Sequence, residues 1–188
     1  MMNESTLLPP GSAPISRARP KVYLESSVLN AVFGREAEKW KVVRDILDDA
    51  REGRIEVVVS ALSLIECEAL SLSGPGGPLT DFFESEFIVR CNVDPFVAST
   101  ACRLRGQLAG VSNLTPNLWL HLATAFWEGC GYLMSNEKRL LKLHGQREAE
   151  SVQIVAPYRP WDAGQMSLTD LEGVMPDLVN PDRRSIII

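Results

Sequence analysis

The chain has 188 residues, a net charge of −5 and an apolar fraction of 45%. This is enough for one domain with a full hydrophobic core, and the mixture is neither disordered nor fibrous. No apolar run approaches the roughly 20 residues that span a bilayer, and an acidic chain does not clamp a phosphate backbone by overall charge.

Residues 1–20, rich in Pro and Ser, read as a flexible lead without the apolar stretch of a secretory signal. Cys67, Cys91, Cys102 and Cys130 are scattered without a C-x-x-C pair, so reduced thiols in a cytoplasmic protein are expected. Basic residues cluster only at 17–21 ("RARPK"), 137–147 ("EKRLLKLHGQR") and 182–184 ("DRR"), so any surface for nucleic acid must be local.

"KVYL" (21–24) predicts a short buried strand, followed at once by Glu25, Ser26 and Ser27. "EKWKVVRDILDDA" places Trp40, Val43, Ile46, Leu47 and Ala50 on one helical face, and Gly53 closes it. "IEVVVS" (55–60) is a β-branched strand, and "ALSLIECEAL" returns to helix with Ser60 as its cap. After the loop "GPGGP" come a short helix in "DFFESEF" and a third strand in "FIVRCNV".

"DPFVASTACRLRGQL" sets Val97, Ala101, Leu104 and Leu108 on one stripe. "TPNLWLHLATAFWEG" is apolar nearly all round and therefore central, with Thr115 as cap, Pro116 as first residue and Gly129 as its end. "GYLMS" is a fourth strand, "NEKRLLKLHG" a helix and "VQIVAP" a fifth strand. Strands alternating with helices imply a parallel sheet covered on both faces.

In such a sheet ligands bind outside the carboxyl ends of the strands. Glu25 follows the first strand, Glu66 lies in the helix after the second, and Glu137 follows the fourth. Each alone is an ordinary acid near a helix N-terminus. Together at one sheet edge they repel unless a cation neutralises them, and oxygen ligands alone select Mg²⁺ or Mn²⁺. Such an ion activates water and braces a phosphoryl group. His121 reads as a hydrogen-bonded core histidine, and Trp119 and Trp127 as packing. "GPGG" lacks the Lys of a phosphate loop, and no serine nucleophile elbow is present.

"VYLESSVLNAV", "VVVSALSLIECEAL", "LHLATAFWEGCGYLMSNEKRL" and "VQIVAP" resemble, in order and spacing, the signature segments of PIN-domain nucleases, above all the VapC-type toxins. The resemblance covers about residues 20–157 and implies a three-layer α/β/α domain over 21–157 with a parallel sheet of about five strands. Residues 158–188 are then a C-terminal extension, expected to pack on its own domain or on a second subunit. It also implies Mg²⁺- or Mn²⁺-dependent cleavage of RNA by a ring of usually four acids, an antitoxin partner and a homodimer. The family acids fall on Glu25, Glu66 and Glu137, with Ser27 where a hydroxyl steadies the first. The third acid falls on Leu118, and its polar neighbour Asn117 lies about 100° round the helix. Where the family has Asp, Glu25 and Glu137 reach roughly 1.5 Å further. With one acid missing, the resemblance implies weak binding of one metal. The competing expectation is a catalytically silent PIN-like binding or assembly module, and a small-ligand α/β binding protein ranks last. Leu118 is expected to face the acid cleft and to accept Asp there when a cation is present.

Overall fold

A computed structural model describes residues 19–33, 37–67, 78–108, 110–146, 149 and 151–162. In chain order the elements are β1 (Lys21–Leu24), α1 (Ser26–Phe33), α2 (Ala37–Arg51), β2 (Glu56–Ser60), α3 (Leu62–Glu66), α4 (Pro78–Glu84), β3 (Ile88–Cys91), α5 (Pro95–Leu108), α6 (Pro116–Trp127), β4 (Tyr132–Met134), α7 (Lys138–Leu141) and β5 (Gln153–Val155). The five strands form one sheet in the order β3-β2-β1-β4-β5, and every pairing is parallel.

Side chains alternate across a strand, so a sheet made of buried runs feeds two cores. Val22 and Leu24, Val57 and Val59, Met134 and Val155 point to one face and pack with α1, α2 and α4. Tyr23, Val58, Leu133 and Ile154 point to the other and pack with α5, α6 and α7. The result is the expected α/β/α layering. It puts Tyr23 under α6, a placement that matters for the site.

The helix boundaries follow local chemistry. Thr115 is extended, and its hydroxyl accepts a hydrogen bond from the Leu118 N–H at 3.4 Å; Pro116 opens α6, where a missing N–H costs nothing. Gly53 after α2 and Gly129 after α6 have φ of 70° and 65°, the left-handed region that a side chain resists. Ser60 closes β2 rather than capping α3 from its first turn, and its hydroxyl accepts from the Leu62 N–H at 3.2 Å. The helix over "NEKRLLKLHG" is a single turn, α7.

Past the expected boundary at 157 the chain stays packed. Tyr158 is buried, and a 3-10 turn at Pro160–Asp162 lays Trp161 against the core over α2. Residues 1–18 and 163–188, and with them most of the lead and the extension, lie outside the described residues, as does the side chain of Trp40.

Candidate metal centre

β1 stops because Glu25 does two jobs. Its N–H still belongs to the sheet, donating to the Met134 carbonyl at 3.0 Å, while its own carbonyl accepts from Val28 N–H at 2.9 Å and starts α1. The carboxylate is 2% exposed. A buried carboxylate needs donors, and three serines provide them. Ser26 Oγ donates to Oε1 at 2.5 Å, Ser135 Oγ donates to Oε2 at 2.8 Å, and Ser27 Oγ also donates to Oε2. Ser27 and Ser135 are themselves held, accepting from Asn136 N–H and Glu137 N–H at 2.9 Å each. The loops leaving β1 and β4 are thus stitched together beneath the acid.

Glu66 ends α3 and meets the first half of α6. Asn117 Nδ2 donates to its Oε1 at 2.8 Å, and His121 Nε2 lies 2.6 Å from Oε2. Residues four apart share a helix face, so α6 needs no kink to bring Asn117 and His121 to one carboxylate. His121 is fully buried, and its Nδ1 lies 2.6 Å from Tyr23 Oη. A carboxylate only accepts, so Nε2 carries the hydrogen that Glu66 receives, and Nδ1 of a neutral ring accepts from the Tyr23 hydroxyl. Burial pushes the Tyr23 phenol well above its usual range, against the opposing hydrogen bond of Ser60, and it stays protonated. Burial alone would raise the Glu66 pKa. The hydrogen bonds from His121 and Asn117, with the charge of His121 when protonated, outweigh it and bring the carboxyl down to about 2.

Glu25, Glu66 and His121 each offer a ligand atom within 4.8 Å of the others. Two ligands of one cation at about 2.1 Å stand roughly 3.0 Å apart when adjacent and roughly 4.2 Å when opposed. The three groups therefore reach a shared divalent ion once the widest pair closes by about 0.6 Å, if opposed, or by up to about 1.8 Å, if adjacent. The ion would replace the His121–Glu66 hydrogen bond.

The sequence placed Glu25, Glu66 and Glu137 at one sheet edge, and all three are found there. Only the first two share the cluster. Glu137 turns away: its carboxylate caps α7 and takes Arg139 Nε at 3.1 Å, a partner two residues on. Arg139 holds its pKa below the usual carboxylate range. Ser27 steadies Glu25 as expected, and Asn117 reaches Glu66. Leu118 does not face the cleft: it is 6% exposed and belongs to the core beneath α5 and α6, one step round the helix from Asn117. His121 is the buried, hydrogen-bonded histidine foreseen, yet its partner is a site carboxylate, so the donor set is not oxygen alone. Ser135 was missed. The pairing of Leu24 with Met134 puts it opposite Glu25, a register no single strand reveals. Trp127, expected to be packing, is 52% exposed and stacks on Phe96.

No family model and no curated protein matches this chain. Solved structures do. A toxin–antitoxin complex from Klebsiella pneumoniae aligns with a TM-score of 0.51 and 15% identity over 73% of this chain and 98% of that one. VapBC2 from Rickettsia felis, bound to a DNA fragment from their promoter, aligns with a TM-score of 0.50 and 11% identity over 71% and 96%. FitAcB from Neisseria gonorrhoeae aligns with a TM-score of 0.47 and 15% identity over 74% and 98%. At these identities the likeness to the first two is one of fold, and it is the fold that the segments resemble: the chain has a PIN-like α/β/α fold built on a five-stranded parallel sheet.

Proposed function

We propose that the chain is a divalent-cation-dependent endoribonuclease of the VapC toxin type, working in the cytoplasm with an antitoxin as its partner. The observation that carries this reading is the convergence of two carboxylates, Glu25 and Glu66, at the carboxyl edge of a parallel sheet in this fold. A divalent ion held by Glu25, Glu66 and His121 would supply an activated water and brace the scissile phosphate. The serines fix where Glu25 points, and Asn117 and His121 fix Glu66. Glu137 is assigned to the rim: with Lys138, Arg139 and Lys142 exposed beside it, this edge has a local basic strip for an RNA backbone despite the acidic total.

The test is cleavage of an unstructured RNA with Mn²⁺ or Mg²⁺. Glu25→Gln should reduce the rate by at least about 100-fold, since loss of an outer-sphere partner alone costs 10–100-fold at metal sites. Chelator should abolish it. Cleavage that survives both treatments would assign the activity to a contaminant or another site.

One observation favours a second reading, a silent PIN-like binding or assembly module. Both oxygens of each buried-site carboxylate already have protein donors, so the site is electrostatically satisfied without an ion. The same assay separates the two readings, because a silent module cleaves nothing with any metal.

The homodimer is assigned to the exposed Phe96–Trp127 stack, whose rings lie 5.6 Å apart and near parallel at the far end of α6. Aromatic pairs in the open mark contact surfaces. Sedimentation should show a dimer for the natural chain and monomer for Trp127→Lys. A dimer unaffected by the substitution would place the interface elsewhere.

A further inference from the structure

We infer that this site selects an ion that accepts nitrogen, Zn²⁺ first and Mn²⁺ next, over Mg²⁺, because His121 is a ligand and Tyr23 forms its built-in outer support. The inference rests on the metal-centre part of the proposed function and goes beyond it in naming the ion and the residues that choose it.

Two carboxylates and one imidazole are a three-ligand set that leaves positions open for water and substrate. That is the pattern of catalytic zinc rather than of a magnesium site. Magnesium demands oxygen and keeps its waters, while affinity for an imidazole site rises along the first-row series towards zinc. A histidine ligand almost always gives its other ring N–H to a fixed acceptor, which sets the tautomer and raises ligand strength. Here that acceptor already exists. Tyr23 Oη is 2.6 Å from Nδ1, on a ring that is fully buried and cannot swing to solvent.

Binding requires a change of tautomer but no change in proton count. The hydrogen on Nε2, now given to Glu66, leaves that nitrogen to the ion, and a hydrogen takes its place on Nδ1. Nδ1–H then donates to Tyr23 Oη. The Tyr23 hydroxyl, a donor to Nδ1 of the metal-free ring, then becomes the acceptor and keeps its own hydrogen. Tyr23 stands on β1 and is packed beneath α6, so the sheet itself positions the support.

Calorimetric titration of the full chain with Zn²⁺, Mn²⁺ and Mg²⁺ tests this directly, in a Cys102→Ser background that removes the exposed thiol. Zn²⁺ should bind at least about 100-fold more tightly than Mg²⁺, and Tyr23→Phe should weaken Zn²⁺ by about 10-fold with Mg²⁺ unchanged. His121→Gln should erase most of the preference; if that variant fails to fold, Tyr23→Phe still decides. Equal affinity for Zn²⁺ and Mg²⁺, or a preference untouched by both variants, overturns the inference. Because no RNA is involved, the outcomes separate: zinc bound through His121 without cleavage removes only the nuclease reading, and Mg²⁺-driven cleavage indifferent to His121 removes only this one.

Discussion

Leu118→Asp should destabilise the protein by about 4 kcal/mol or more, and by the same amount with and without a divalent cation. The resemblance to PIN nucleases implies an acid at this position, so the residue ought to welcome one if it faced the metal. It does not face it. Leu118 is 6% exposed and lies in the core with Val97, Leu104, Trp119 and Leu122, so Asp there loses a packed side chain and buries an unpaired charge. That is a large part of the 5–15 kcal/mol typical of a whole domain. Asn117→Asp is the informative counterpart. Asn117 is exposed and touches Glu66 at 2.8 Å, so a carboxylate there joins the site instead of the core. It should lower the melting temperature slightly in chelator through repulsion with Glu66, and the loss should vanish as Mn²⁺ is added. Melts of both variants across a Mn²⁺ titration check the pair. Rescue of Leu118→Asp by metal would show that position 118, not 117, opens onto the cleft.

The second large effect lies far from the site. Asp49, with its side chain fully buried on α2, accepts hydrogen bonds from Arg54 Nε at 2.8 Å, from Arg159 Nε and Nη2 at 2.8 Å each and from Trp161 Nε1 at 2.6 Å. It fastens the chain beyond β5 to the domain. Asp49→Ala should cost about 2–3 kcal/mol, the worth of charged hydrogen bonds. The cost stays below the 3–5 kcal/mol of a stranded buried charge because Arg54 and Arg159 are 47% and 31% exposed and can rehydrate. The pH dependence has a definite sign. Burial pushes the Asp49 carboxyl up, but Arg159, Arg54 and Trp161 outweigh it and hold it below its ordinary 3.8. The stabilisation is therefore complete above about pH 4 and drains away as pH falls through the lowered value. Urea unfolding at pH 7 and pH 3 should show this loss in the natural chain and little of it in Asp49→Asn. An equal loss in both would assign the acid sensitivity to other carboxylates.

The sheet and the central helix were legible because their signals are local. β-branched runs bounded by polar residues mark β2 and β5, and Thr115, Pro116 and Gly129 bracket α6 almost to the residue. α1 was harder. Its eight residues follow β1 after one residue, with Val28, Leu29 and Val32 as the apolar stripe, too short to establish a period. For the site, chain position reveals which edge an acid occupies but not which way its side chain turns. Glu25 and Glu66 turn inward because serines, Asn117 and His121 await them. Glu137 turns outward because Arg139 and a free helix N–H are nearer. The role of His121 was illegible for a related reason: burial and hydrogen bonding were foreseeable from its helix, while its partners, Tyr23 and Glu66, are 98 and 55 residues away in the chain.

On the proposed reading, Glu25, Glu66 and His121 converge on one divalent ion. Anomalous diffraction from crystals of the full chain grown with Mn²⁺ measures it most directly. A single strong peak is expected, bonded to Glu25, Glu66 and His121 Nε2, with the His121–Glu66 hydrogen bond gone and Glu137 still on Arg139. A manganese ion bound at Glu137 or elsewhere, with that hydrogen bond intact, would contradict it.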